Sequence, residues 1–544
     1  MQTDIEKDTI FAEEADLGVF DVLVEQVYAM IGNPLSVWAV AATIESLGIR
    51  DVDAIVDYGY KSVFDLAEDV YKRVKKHIRG KYEETKEAEF KLGDVGESFK
   101  LFFKYFGTGI LFTMPMISQI VAIIIFEYAL WAWFRFNVAQ ATMIAMGTIG
   151  AFIITGGFIQ VLGRLVSKYM GEKNYYLSWR AIKAVIYFAV PLVLGIAALT
   201  FLINLILPFY PQRMVSLGLT YFILISAMML SAAVLYASEQ KMVILASIFI
   251  GTLTVAFGME VLDWGIYLSQ WFGIGLTAGL QIIYIILYYL YKIRATRQQL
   301  FKQSLPKLEV SYYNTYRYFL YGFAYFTFLF VDRILAWSAG PPPPSYIIWF
   351  NTPYELGMDW ALLSFIFTIA LLEFIIQLFS HRIIPAQKSS DVTKLKDFNR
   401  YFSNFYSLQL VLLFFIGIAS ILLTYYGVDA LRVYAEDYPE IKDFFASPIT
   451  TKVFWMASIG YLFLVFGLLN SLFFFTMNRP EFVLYSMFAA LAVNAITGYV
   501  CSRTIGFEYA VIGLIAGSIT FAAITGLIGK RFFKHLDYFY YSAY

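Results

Sequence analysis

The strongest constraint on this chain is a series of apolar runs, each about twenty residues or longer, that begins near residue 107 and continues almost to the C-terminus. A run of that length crosses the ~30 Å hydrocarbon layer of a bilayer as one helix. Within that layer every backbone N–H and C=O needs an internal partner, so these runs must be helical. The alternating pattern of a membrane barrel is not seen. The charged fraction agrees, at 15% against about 25% in ordinary soluble domains. The expected class is therefore all-α: a polytopic membrane protein of about twelve transmembrane helices in two six-helix bundles. The spans are expected near 107–134, 138–162, 184–207, 217–237, 242–262, 266–291, 316–337, 359–380, 402–425, 453–475, 482–500 and 509–529, with the fifth and sixth parting at Asp263–Gly265.

Basic residues orient these spans. One set of loops carries Arg164, Lys168, Lys173, Arg180 and Lys183, then Lys292–Lys307, then Arg382–Arg400 and Lys530–Lys534; the opposite set carries only scattered ones such as Arg135, Arg213 and Arg503. Such an excess marks the cytoplasmic side. Both termini are expected in the cytosol, with the chain multi-pass in the cytoplasmic (inner) membrane.

A small helical cytosolic region and charged linker are expected over 1–90, where apolar and charged residues mix at helical spacing. No cleavable leader is expected there, so the first span serves as the insertion signal. Residues 91–106 place Phe99, Phe102, Phe103 and Phe106 mostly on one face, as in an interfacial amphipathic helix. The formal net charge is zero and gives no pull toward nucleic acid. Cys501, the only cysteine, excludes an internal disulfide.

The two halves, 107–291 and 316–529, match. A cytosolic basic linker at 292–315 joins them and a short cytosolic tail at 530–544 follows. In each half the loop after the second span is long and basic, at Gly163–Lys183 and His381–Arg400. The loop after the fourth is short, at Ser238–Gln240 and Met477–Glu481. Duplicated bundles of this kind suggest a transporter with its path between the halves, although a channel or multi-span enzyme could share the topology.

Ionisable groups inside spans are costly, roughly 2.5–3.5 kcal/mol at the centre by insertion scales, so the few present are informative. Glu373 lies among apolar residues of the eighth span and should face a partner or water; it is a candidate for ion coupling or substrate contact, or for a hydrogen bond to a neighbouring helix. Glu127 is placed in the outer part of the first span. Asp332 and Arg333 lie near the outer end of the seventh, as pathway residues or an interfacial anchor. Glu260, Asp263 and Asp359 can reach the interface and are expected to be solvated. The glycines of Thr155–Gly163 suit close helix packing. Pro341–Pro344 is read as a stiff spacer, and most of the aromatics as belt or packing. No phosphate-binding glycine loop or metal-spaced histidine pair is present, so no enzyme chemistry, metal or organic cofactor is expected.

Three stretches carry a family resemblance. Phe328–Phe365 holds Asp332, Arg333 and Trp337, then Tyr354–Glu355 after an external loop. The tail KRFFKHLDYFYYSAY keeps Leu536 and Tyr538, and GGFIQVLGRLVSKYMGEKNYYLSWRA forms a basic exit from the second span. Over about residues 100–544 the chain resembles the PelG-like exopolysaccharide exporters, within the MATE-like (MOP) flippase superfamily. It departs from them in its longer N-terminal region, in Arg333 and Glu355 where the family has Lys and Asp, and at Phe379–Ile384, which lacks an acidic pair. The resemblance implies export of a polysaccharide or its intermediate, with Asp332, Arg333, Tyr354 and Glu355 at the pathway. It implies partnership with a cytosolic glycosyltransferase and other membrane subunits of polysaccharide synthesis. Arg164, Lys168, Lys173, Lys394 and Lys396 are then candidates for docking, or simply determinants of topology. A coupling ion, H+ or Na+, is left open. So are the two rivals: a MATE-like small-molecule or cation antiporter, and a scaffold subunit that transports nothing.

Overall fold

The computed structural model describes residues 19–32, 34, 37–84, 107, 109, 113–123, 125–296, 308–340, 347–389, 395–434, 447–536 and 539. The expected interfacial segment at 91–106, the proline run, Lys394, the side chain of Lys396 and Tyr538 lie outside the described residues. The chain forms two compact units: one gathers residues up to 101 with 377–406 and 533–542, and the other holds 102–376 with 407–532.

In the first unit, α1 (Val19–Ile31), α2 (Val37–Ser46), α3 (Asp51–Val56) and α4 (Val63–Glu84) build a core of their own. Val63, Leu66, Ala67, Val70 and Val74 recur at helical spacing along α4 and are buried. The helical spacing from Val52 to Val74 is interrupted at Gly59, whose φ of 75° reverses the chain. Asp51 then caps the next helix by accepting from the Val63 amide at 2.8 Å. Elsewhere in this unit, Phe379 packs its ring against Phe402, Phe405 and Phe533.

The second unit is built from long apolar helices, of which the C-terminal part of α12 (Thr352–Ser389), the N-terminal part of α13 (Leu395–Tyr434) and the end of α16 (Val511–Lys534) belong to the first unit. The chain runs through α5 (Thr113–Ile123), α6 (Val138–Gly171), α7 (Tyr175–Ile206), α8 (Gln212–Ala237), α9 (Lys241–Glu260) and α10 (Ile266–Ala295). It continues through α11 (Leu308–Ala339), α12 (Thr352–Ser389), α13 (Leu395–Tyr434), α14 (Pro448–Thr476), α15 (Pro480–Thr504) and α16 (Val511–Lys534). Among the described residues, eleven helices are long and apolar enough to cross a membrane. They coincide with the second to twelfth expected spans, and α5 lies within the first. The chain is a multi-pass membrane protein of all-α class.

Two expectations need correction. The first span was expected to run unbroken to residue 134. Instead the chain leaves the helix at Glu127, whose φ is 64°, and folds back as a hairpin with a bridge between Tyr128 and Trp133. The apolar residues of this hairpin find their burial by packing: Tyr128 and Leu130 enter the core of the first bundle. Its backbone is satisfied by glutamines. The Leu130 amide donates to Gln119 at 2.9 Å, and Gln270 donates to the carbonyls of Ala129 and Ala132 at 3.0 Å each.

The second correction concerns Gly163–Lys183, expected as a long loop. Helix α6 runs on to Gly171 and α7 begins at Tyr175. The turn between them is a Schellman closure. The Asn174 amide reaches the Tyr169 carbonyl at 2.8 Å, and the Lys173 amide reaches Met170 at 2.9 Å. Lys173 takes the left-handed φ of 53° that glycine usually supplies. The same closure recurs after α8, with Glu239 at φ 60°, and after α14, with Asn478 at φ 52°. Part of the second basic loop, His381–Arg400, is likewise helical, as the ends of α12 and α13.

The two bundles meet along α6 and α11. A Cβ on Gly156 would stand 2.8 Å from the Gly322 carbonyl oxygen, and one on Gly322 would clash with the Gly156 carbonyl oxygen. The expected close packing at Thr155–Gly163 is thus a seam between the halves. A Cβ on Gly109 would likewise stand 2.7 Å from the Ala370 carbonyl oxygen of α12.

Candidate functional site

Among the described residues, the buried charged side chains of the second unit, Asp332, Arg333 and Glu355, lie where the end of α11 meets the first turn of α12. Asn351 starts α12 by accepting from the Tyr354 amide at 3.1 Å, which fixes Tyr354 and Glu355 in its first turn. Glu355 and Asp359 are four residues apart and share one face. Both reach the same guanidinium: Arg333 donates through Nη1 to Glu355 at 2.5 Å and to Asp359 at 3.0 Å. One turn beyond Arg333, Trp337 donates its indole N–H to the other oxygen of Glu355 at 2.8 Å. Tyr354 donates its hydroxyl to Asp332 at 2.8 Å. The ring of Phe330 lies 5.6 Å from the guanidinium carbon.

Asp332, Arg333, Trp337, Tyr354 and Glu355 are all buried, whereas the Asp359 side chain is 61% exposed. The cluster therefore has a buried interior and one exposed carboxylate at its edge. It also carries more acid than base, with three carboxylates around one guanidinium. One oxygen of Asp332 and the Nε of Arg333 have no protein partner. A buried group left in that state is costly. Buried Tyr461 of α14 stands beside the guanidinium and lines a narrow crevice with Ser364, Thr368 and Ser458. Such an arrangement can hold a polar or charged group against fixed dipoles inside an apolar bundle.

The structure thus brings together four of the sequence candidates, Asp332, Arg333, Tyr354 and Glu355. Asp359, expected to be only solvated, joins them, and Tyr461 was not anticipated. The other candidates lie elsewhere. Glu127, placed by sequence inside a span, sits in the turn before the hairpin; it pairs with Arg135 at 2.8 Å and is partly exposed. Glu373 is about 30 Å along α12 from its first residue, toward the other end of the bundle. It accepts from Lys241 at 3.1 Å and from Tyr236 at 3.4 Å. Arg164 donates to Asn478 at 2.8 Å, so it spans the two bundles. Lys168 and Lys173 are exposed at the end of α6.

The first bundle holds its buried polar groups differently. Gln281 donates to Ser247 at 2.9 Å and accepts from Ser231 at 2.7 Å, and Tyr221 donates to Gln270. Gln119 donates to Thr252 at 2.9 Å. These neutral ladders tie helices together. Sequence reasoning passed over them because it searched for charge, and a glutamine inside an apolar run was the available signal.

No family's sequence profile and no curated protein matches this chain. Solved structures do. A MATE in complex with MaD5 aligns at a TM-score of 0.56 over 84% of this chain and 99% of its own, with 12% identity. A mutant of the Vibrio cholerae MATE transporter VcmN gives 0.57, over 82% and 99%, with 14% identity. An outward-facing multidrug resistance MATE family transporter of the MOP superfamily gives 0.51, over 84% and 99%, with 12% identity. At such identities the likeness establishes the fold. The chain has the two-bundle fold of MATE transporters.

Proposed function

We propose that this protein is a membrane transporter that exports a polysaccharide or its intermediate across the cytoplasmic membrane, in the manner of the PelG-like exporters. Its two bundles would give alternating access to a path between them. The observation that carries this reading is the buried cluster. The segments that resemble the exporter family, one at Asp332–Trp337 and one at Tyr354–Glu355, come from opposite sides of a loop and meet around one guanidinium. The MATE fold supports transport of some kind, and the excess of basic residues at one set of turns supports cytosolic termini.

In this reading a cytosolic glycosyltransferase and other membrane subunits deliver the chain, with Lys168 and Lys173 exposed at the α6–α7 turn as part of the contact. Energy comes from polymer synthesis or from an ion gradient, H+ or Na+. The fold likeness favours a second reading, a small-molecule or cation antiporter. Co-reconstitution in vesicles with the glycosyltransferase and sugar donor separates them. Polymer collected in the lumen only when this chain is present supports the exporter. Drug efflux by the chain alone, with no lumenal polymer, replaces that reading with the antiporter.

A further inference from the structure

The two bundles touch at both ends, and the contacts differ in kind. At the end that carries the α11–α12 cluster, the hydrogen bonds seen among the described residues join neutral groups. Tyr210 donates to the Ile348 carbonyl at 2.8 Å, and the Phe350 amide donates to Thr142 at 3.0 Å. At the opposite end, where the three Schellman turns lie, the links use charged side chains.

These charged links follow the duplication of the fold. Helices α6 and α12 are the second span of each half. The α8–α9 and α14–α15 turns are the link between the fourth and fifth spans of each half. Arg164 of α6 reaches Asn478 in the α14–α15 turn, while Glu373 of α12 reaches Lys241 and Tyr236 at the α8–α9 turn. Each second span therefore grasps the equivalent turn of the other half. The polarity is reversed: a cation extends from α6, an anion from α12. Both sites are backed by aromatic rings. Tyr318 lies under Arg164 at 5.6 Å and donates to Asn478 at 3.3 Å, and Tyr236 lies under Lys241 at 5.1 Å. The side chains of Lys241 and Glu373 are 17% and 24% exposed. That leaves each group close enough to water to be rehydrated once the pair separates, which an entirely dry ion pair is not.

We propose that these two contacts form a pseudo-symmetric latch that holds the bundles shut at this end, and that the path opens to this face only when both contacts break. The inference rests on the alternating-access reading and assigns Glu373 and Arg164 to gating. A left-handed residue at Glu239 and at Asn478 sets where each turn presents its partner, and the closing hydrogen bonds of each turn hold that conformation.

The test is a distance measurement by pulsed electron resonance on the full chain. Spin labels are placed at Ser167→Cys in α6 and Tyr485→Cys in α15, both exposed positions near this end, in a Cys501→Ser background. Arg164→Ala combined with Lys241→Ala is expected to raise the population of longer distances about threefold or more over the unaltered latch, a shift that loss of contacts specific to the closed state must produce. Exchanging the charges, Lys241→Glu with Glu373→Lys, is expected to return the distribution toward the original, whereas Lys241→Glu alone widens it. If the alanine pair does not fold, Arg164→Gln with Lys241→Gln keeps side-chain length and carries the same expectation. An unchanged distribution in a folded double variant, or an exchange no better than Lys241→Glu alone, overturns the latch. The readout needs no substrate. Widened distances in the variants, with no polymer export by the unaltered chain, would retain the latch and discard the exporter, and export by the unaltered chain with unaltered distances in the variants would do the reverse.

Discussion

Replacing Arg333 by methionine is the sharpest perturbation of the candidate site. The guanidinium is the cation held between Glu355 and Asp359, and methionine fills much of the same volume without charge. The two lost contacts are unequal. Asp359 is 61% exposed, so water replaces the guanidinium there and the loss is worth at most about 1 kcal/mol. The Glu355 side chain is only 6% exposed and would keep a single partner, the Trp337 indole. Removing one member of a buried pair costs about 3–5 kcal/mol, because the other charge is left uncompensated. Thermal unfolding in detergent, followed by size-exclusion chromatography, should therefore rank the variants. Arg333→Met falls furthest, Asp359→Asn stays close to the unaltered chain, and Arg333→Met with Glu355→Gln recovers much of the loss. Recovery is the decisive feature, since it shows that the stranded carboxylate is the source of the cost. If Arg333→Met unfolds no earlier than Asp359→Asn, the dry ion pair is not what this geometry implies.

Other outcomes follow from the packing and the polar ladders. Gly322→Ala places a methyl about where the Gly156 carbonyl stands and should cost about 1–3 kcal/mol by overpacking, lowering the melting midpoint; Gly195→Ala, with open space around it, should leave the midpoint unchanged or slightly raised. Gln119→Leu strands the Leu130 amide, while the Thr252 hydroxyl keeps its bond to the Ile248 carbonyl, and the same melting assay should show a loss of about 1–3 kcal/mol. Glu373→Gln should reduce lumenal polymer in the vesicle assay while protein level is unchanged; full export would remove this carboxylate from the mechanism. Asp332→Asn should likewise reduce export at normal abundance, and no effect would mark the Asp332–Tyr354 bond as an anchor only.

The spans could be read from sequence because each is a run of apolar residues whose length alone demands a helix. The break at Asp263 was readable for the same reason, as a short polar interruption between two such runs. Where the reading failed, local pattern and tertiary structure disagreed. Residues 127–136 are apolar enough to continue a span, yet Gln119 and Gln270 satisfy a reversed chain there, and those partners are remote in sequence. The α6–α7 turn lacked the usual signal because Lys173, rather than glycine, takes the left-handed conformation. Within the candidate site, Asp332, Arg333, Tyr354 and Glu355 were singled out as ionisable or motif residues, but Asp359 was read as solvated because it can reach the interface. Its spacing of four from Glu355 turns both oxygens toward one guanidinium, which only the packing of α11 on α12 reveals. The partner of Glu373 lies on the far side of the duplication, beyond any local pattern.

The account depends on two bundles that enter the membrane with the same orientation. Single cysteines at Lys173→Cys and Asn478→Cys, with a third at Arg213→Cys, all in a Cys501→Ser background, can be challenged with a membrane-impermeant maleimide from each side. The expected result is that the first two react only from the cytosolic side and the third only from the other. Reaction of Lys173→Cys and Asn478→Cys from opposite sides would contradict the matched bundles, and with them the exporter reading.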